Sequence, residues 1–103
     1  MIVEHRTYIV KHGLMAEYLQ RYEKHGLHIQ LRHLGPLLGF YVSEVGVLNE
    51  VTHLWSYESM ADRETRRAKL MADPEWQAFL KTNAGTFEHQ QTKILKPTSF
   101  SPQ

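Results

Sequence analysis

The segment "NEVTHLWSYES", residues 49–59, alternates too regularly for a helix and is too aromatic for a loop. In an extended chain Val51, His53, Trp55 and Tyr57 share one side, and Thr52, Leu54 and Ser56 share the other. A strand is expected here, with one face carrying three large side chains that end in polar tips. Working outward, "IVEHRTYIV" (2–10) is rich in β-branched and aromatic residues, and "LLGFYVSEV" (37–45) and "TFEHQQTKIL" (86–95) read the same way. That makes four strands.

Helix signals fill the gaps between them. Met15, Tyr18, Tyr22 and Ile29 recur at spacings near three and four across residues 14–31, and "LGP" at 34–36 breaks the chain. Gly26 weakens that helix by about 1 kcal/mol relative to alanine. Ser59, three residues before Asp62, caps a helix through "RETRRAKLM". In "DPEW", Asp73 caps a second piece, Pro74 suits its first position and Glu75 complements the dipole. Trp76, Phe79 and Leu80 form its apolar side, and Gly85 ends it. Strand, helix, strand, strand, helix in two pieces, strand predicts an α+β, ferredoxin-like βαββαβ fold. In it, strands one and three are the central pair of a four-stranded antiparallel sheet, and the helices cover one face. The 103 residues form one domain, 1–103, with 96–103 as an extended C-terminal tail.

Composition narrows the function classes. Twelve basic against eleven acidic residues give a formal charge of +1, so no nucleic acid or anionic membrane is expected as a partner. No cysteine is present, which excludes disulfides, thiolate metal sites and a cysteine nucleophile. The start of the chain carries no apolar signal core and no run reaches membrane-span length, so a cytoplasmic protein is expected.

The faces of the strands locate a candidate site. Glu4, Arg6 and Tyr8 lie on one side of the first strand. Unpaired buried charge is costly, so Glu4 and Arg6 are expected to point away from the helices. The compact Thr52–Leu54–Ser56 side is then expected beneath the helices. That places His53, Trp55 and Tyr57 on the open face beside Glu4, Arg6 and Tyr8. In the second strand Leu38, Phe40 and Val42 suit the helix side, leaving Tyr41 on the open one. Such an aromatic open face needs a cover, and a second copy of the sheet is the simplest. The expected result is a homodimer with a polar-studded, ligand-binding cavity between facing sheets.

In that cavity Arg6 would hold an anionic or carbonyl oxygen, His53 would act as acid or base near neutral pH, and Tyr8 would donate a hydrogen bond. These three are the candidate catalytic residues. Glu4, Tyr41, Trp55 and Tyr57 are the candidate ligand-binding residues. The competing reading is a self-satisfied network, Glu4 with Arg6 and His53 with a tyrosine, that supports a non-catalytic interaction module. His25, His28 and His33 read as surface histidines, because no acidic residue completes a metal-ligand spacing. No metal or cofactor is expected, since no nucleotide, flavin or phosphate-cradling pattern occurs. "RETRRAK" (63–69) reads as a solvated helix face, and Asn49 is explained by turn chemistry.

Four stretches in order, "EHRTY", "SEVGVLNEVTHLWSYES", "DPEWQAFL" and "KILKPTSF", closely resemble the NIPSNAP family over nearly the whole chain. The resemblance implies a ferredoxin-like dimeric α/β barrel and brings no established reaction with it. Animal members are linked to mitochondria, whereas this chain resembles the short bacterial relatives. The wider fold group includes cofactor-independent monooxygenases and isomerases. If the protein is an enzyme, that implies proton abstraction from a small cyclic or aromatic carbonyl compound, followed by oxygenation or isomerisation.

Overall fold

The structure is a computed structural model that describes all residues from Met1 to Gln103. β1 (Ile2–Val10) is followed by a helical rod made of α1 (Met15–Arg21), a π-helical turn (Tyr22–Gly26) and α2 (Leu27–His33). Then come β2 (Leu37–Val42), β3 (Glu50–Tyr57), α3 (Met60–Ala72), α4 (Pro74–Thr82) and β4 (Phe87–Leu95). The sheet is antiparallel with order β2–β3–β1–β4, so β1 and β3 are the central pair, as the ferredoxin-like reading requires.

The caps form as the sequence indicates. Ser59 Oγ accepts from the Asp62 amide at 3.1 Å, and Asp73 Oδ1 accepts from the Glu75 amide at 2.9 Å. Asn49 adopts φ +63° just before β3, a left-handed turn position that asparagine tolerates. Gly26 has a packing reason for being small. A Cβ there would lie 2.8 Å from the tip of the Phe79 ring, so its absence lets α4 press against the π-helical turn. Where the sequence implied only a weak point, the fold has a close contact.

The sidedness of the sheet is opposite to the expectation. Register pairs Glu4 with Trp55, Arg6 with His53 and Tyr8 with Val51, so these residues share one side. That side faces the helices: Val51, Trp55 and Tyr57 belong to the core with Tyr18, Tyr22, Ile29, Leu70, Trp76 and Phe79. His53 and Glu4 are buried beside them. The bare face carries Thr52 and Leu54 with their partners Thr7 and His5. Area favours this choice. Each large aromatic ring removes about 150–250 Å² from water, worth about 4–6 kcal/mol at ~25 cal/mol per Å². The Thr52–Leu54–Ser56 side offers much less. The burial cost of Glu4, on which the expectation rested, is offset by partners supplied from elsewhere in the chain.

Candidate functional site

Glu4 Cα sits in the central strand with its side chain fully buried, and three guanidinium groups surround its carboxylate. Arg63 approaches Oε2 through Nη2 at 2.6 Å and donates from Nε at 2.7 Å. Arg6 Nη1 donates to the same oxygen at 3.3 Å, and Arg67 Nη1 stands 4.0 Å from Oε1. The Tyr57 hydroxyl donates to Oε1 at 3.3 Å, and burial together with the Glu4 charge pushes that phenol up to about 12. Arg63 and Arg67 are one helical turn apart on α3 and turn inward. The solvated-face reading of "RETRRAK" therefore fails for these two residues. A buried acid needs a partner, and the four-residue spacing of two arginines on a helix with little apolar character was the signal available.

His53 lies in an aromatic stack. Its ring is parallel to Phe40 at 4.8 Å, which in turn stacks on Tyr22 at 5.0 Å, while Tyr8 lies 5.3 Å from the imidazole. Trp55 Nε1 donates to His53 Nδ1 at 2.7 Å. Nδ1 is thus the acceptor, and the proton of the neutral ring sits on Nε2. Nε2 has no protein partner and is not sealed from the cavity, since no buried side-chain nitrogen or oxygen lacks a hydrogen bond. Burial, then the positive charges of Arg6, His5 and Arg67, lower the imidazole to about 3. The expected titration near neutral pH does not hold. At pH 7 His53 is a neutral Nε2–H donor.

This shift has a measurable sign. The folded protein holds fewer protons at His53 than the unfolded chain between about 3 and the ordinary 6.5. Stability is therefore full above that window and falls as pH drops through it, by up to ~1.4 kcal/mol per pH unit. Urea unfolding at pH 4 to 7 should show the wild-type curve sloping more steeply than that of His53→Gln. Parallel curves would mean that His53 is charged, or free to charge, in the folded state.

Between sheet and helices lies a cavity of about 390 Å³. Tyr8, Tyr18, Tyr22, Trp76, Phe79 and Phe87 give it aromatic walls, and Arg6, Arg67, His53 and Gln30 supply polar groups. Tyr22 donates its hydroxyl proton to Gln30 Oε1. Burial foremost, then neighbouring tyrosines, raises the Tyr18 and Tyr22 phenols well above their ordinary value. Of the predicted catalytic residues, Arg6, Tyr8 and His53 all line this space. Glu4, Trp55 and Tyr57 sit behind it as supports. Tyr41 is not part of it, being 58% exposed on the bare face beside Gly39. The cavity containing these residues therefore lies within one protomer, against the expectation that they line a space between two facing sheets.

A wider groove of about 800 Å³ runs along the outside, between the first helical rod and α4. Only three of its eleven lining residues are apolar, and Glu17 and Glu75 stand among Arg21 and Lys24. It lacks the apolar walls of a small-molecule site. His25 and His28 line this groove, with His28 3.8 Å from Glu75, whereas His33 lies outside it with Nε2 2.7 Å from Asp73. No helix is long and apolar enough to cross a membrane.

Fold and cavity together define a ferredoxin-like α+β domain with an aromatic, cationic chamber under its helices. The fold is shared with an antibiotic biosynthesis monooxygenase, at TM-score 0.65 and 8% identity over 95% of this chain and 99% of that one. The family model for NIPSNAP matches residues 3–102, and the chain belongs to that family. The crystal structure of Atu4242 from Agrobacterium tumefaciens is similar at TM-score 0.96 and 46% identity, covering 99% of this chain and 98% of that one. Human NipSnap homolog 3A is 36% identical over 93 residues, which is 88% of this chain and 37% of that protein. The chain spans less than half the length of the curated relatives it matches.

Proposed function

We propose that this NIPSNAP protein binds a small, ring-containing molecule in the chamber between its sheet and its helices. The observation that carries this reading is the convergence of His53 Nε2–H, Arg6 and Tyr8 on an aromatic-walled cavity of about 390 Å³. That volume lies in the lower range for small-molecule sites and suits one or two rings. The rings of Tyr8, Tyr22 and Phe79 would face the ligand, and His53 would donate to a carbonyl or hydroxyl oxygen. A proton-abstracting role for His53 has no support, because Nδ1 is occupied by Trp55 and the ring is held neutral far below pH 7. The likeness to a monooxygenase fold is compatible with oxygenation but assigns no residue to it.

The test uses a neutral two-ring probe, 2-naphthamide, followed by tryptophan fluorescence. Saturable binding with one site per protomer is expected. Ala84→Trp, at the exposed edge of the lining, should weaken it by about tenfold or more, and Tyr41→Ser on the bare face should leave it unchanged. The opposite pattern would move the ligand to the bare face.

A second reading, an interaction module, is supported by that bare face. Exposed Tyr41 and half-buried Ile9 and Leu54 make it the natural contact for a second copy in a homodimer. Light scattering on Tyr41→Asp should show a shift toward monomer; an unaltered mass would remove this face from consideration.

A further inference from the structure

Resting on the chamber reading above, we infer that the ligand is an anion, an aryl carboxylate or its equivalent, with its charged group held by Arg67 and Arg6. The charges around the cavity do not balance. Its lining includes two arginines and no aspartate or glutamate. The one buried acid nearby, Glu4, is shared among Arg6, Arg63 and Arg67, so three positive groups face one negative group. His53 is neutral and adds nothing negative, and burial keeps the Tyr18 and Tyr22 phenols protonated at neutral pH.

The distances divide the arginines by role. Arg63 takes the Glu4 carboxylate with two close contacts, at 2.6 and 2.7 Å, and is the structural counter-ion. Arg67 makes no hydrogen bond, and its nearest carboxylate oxygen is 4.0 Å away. Arg6 uses Nε on the Tyr8 hydroxyl at 2.9 Å and Nη1 on Glu4, leaving Nη2 uncommitted. Two planar donor groups with free N–H bonds thus border an aromatic chamber. Paired N–H donors of this kind match the two oxygens of a carboxylate. Partial exclusion of water strengthens the attraction relative to a surface pair. The rest of the lining is largely aromatic, with Tyr18, Tyr22, Trp76, Phe79 and Phe87, so the ligand joins a charged end to a flat apolar body. Lysine cannot reproduce the fork, but it does restore the charge.

Isothermal titration of the full chain with 2-naphthoate and with 2-naphthamide at pH 7 separates the anion from its neutral analogue. The expected result is at least about tenfold tighter binding of 2-naphthoate. Arg67→Gln should reduce that preference to below about threefold, and Arg67→Lys should restore part of it. Melting curves of both variants close to wild type would confirm that the fold is intact. Equal affinity for the two probes overturns the anion assignment while leaving the chamber in place, and a preference that survives Arg67→Gln overturns the placing of the charged group on Arg67. Failure of both probes to bind overturns the chamber as well.

Discussion

Glu4→Gln is expected to lose about 3–5 kcal/mol of stability, the range found when one partner of a buried charge network is removed. Glutamine keeps the shape and can still accept from Tyr57, so the loss isolates charge from volume. Without the carboxylate, Arg6, Arg63 and Arg67 would confront one another with no internal counter-ion. Because the defect is excess positive charge, adding Arg63→Met to Glu4→Gln should recover part of the loss. The two changes would then be strongly non-additive. Urea unfolding of both single variants and the double variant checks this. Additive losses would show that Arg63 and Glu4 are not energetically coupled, despite their 2.6 Å approach.

Gly35→Ala is expected to be comparably severe, near the 4–5 kcal/mol upper end for single substitutions. A Cβ at position 35 would lie 1.7 Å from the Ser56 carbonyl oxygen, which is backbone and cannot rotate aside. The neighbouring Ser56 amide donates to the Pro36 carbonyl at 3.0 Å, so relief would require opening the entry of β2 onto β3. The same strand end carries Tyr57 and Ser56, so loosening it also disturbs the Tyr57 contact with Glu4. Circular dichroism and thermal melting should show little or no folded protein at 37 °C; a wild-type melting curve would mean that this approach of the chains is not required. Alanine at Gly26 meets a ring tip instead of backbone and should be milder.

The element order was legible in the sequence because alternation, caps and breakers act locally. The strand at 50–57, the Ser59 and Asp73 caps and the break at Gly35–Pro36 each depend on a few adjacent residues. Which face of the sheet meets the helices is a non-local question. Judged on its own strand Glu4 belongs in water, and its burial is offset only by Arg63 and Arg67, about sixty residues later on another element. Strand alternation alone groups Glu4, Arg6, Tyr8, His53, Trp55 and Tyr57 on one side, and the register agrees. That Trp55 claims His53 Nδ1 and that Phe40 stacks on the ring are not legible in alternation, because both depend on the packed geometry. Tyr41 was separated from the group by a single step of strand alternation.

The most direct measurement is a crystal structure of the protein with 2-naphthoate. The rings should lie among Tyr8, Tyr22, His53 and Phe79, inside a single protomer, with the carboxylate turned toward Arg67. Density for the compound packed against Tyr41 and Leu54 on the far side of the sheet would contradict the account.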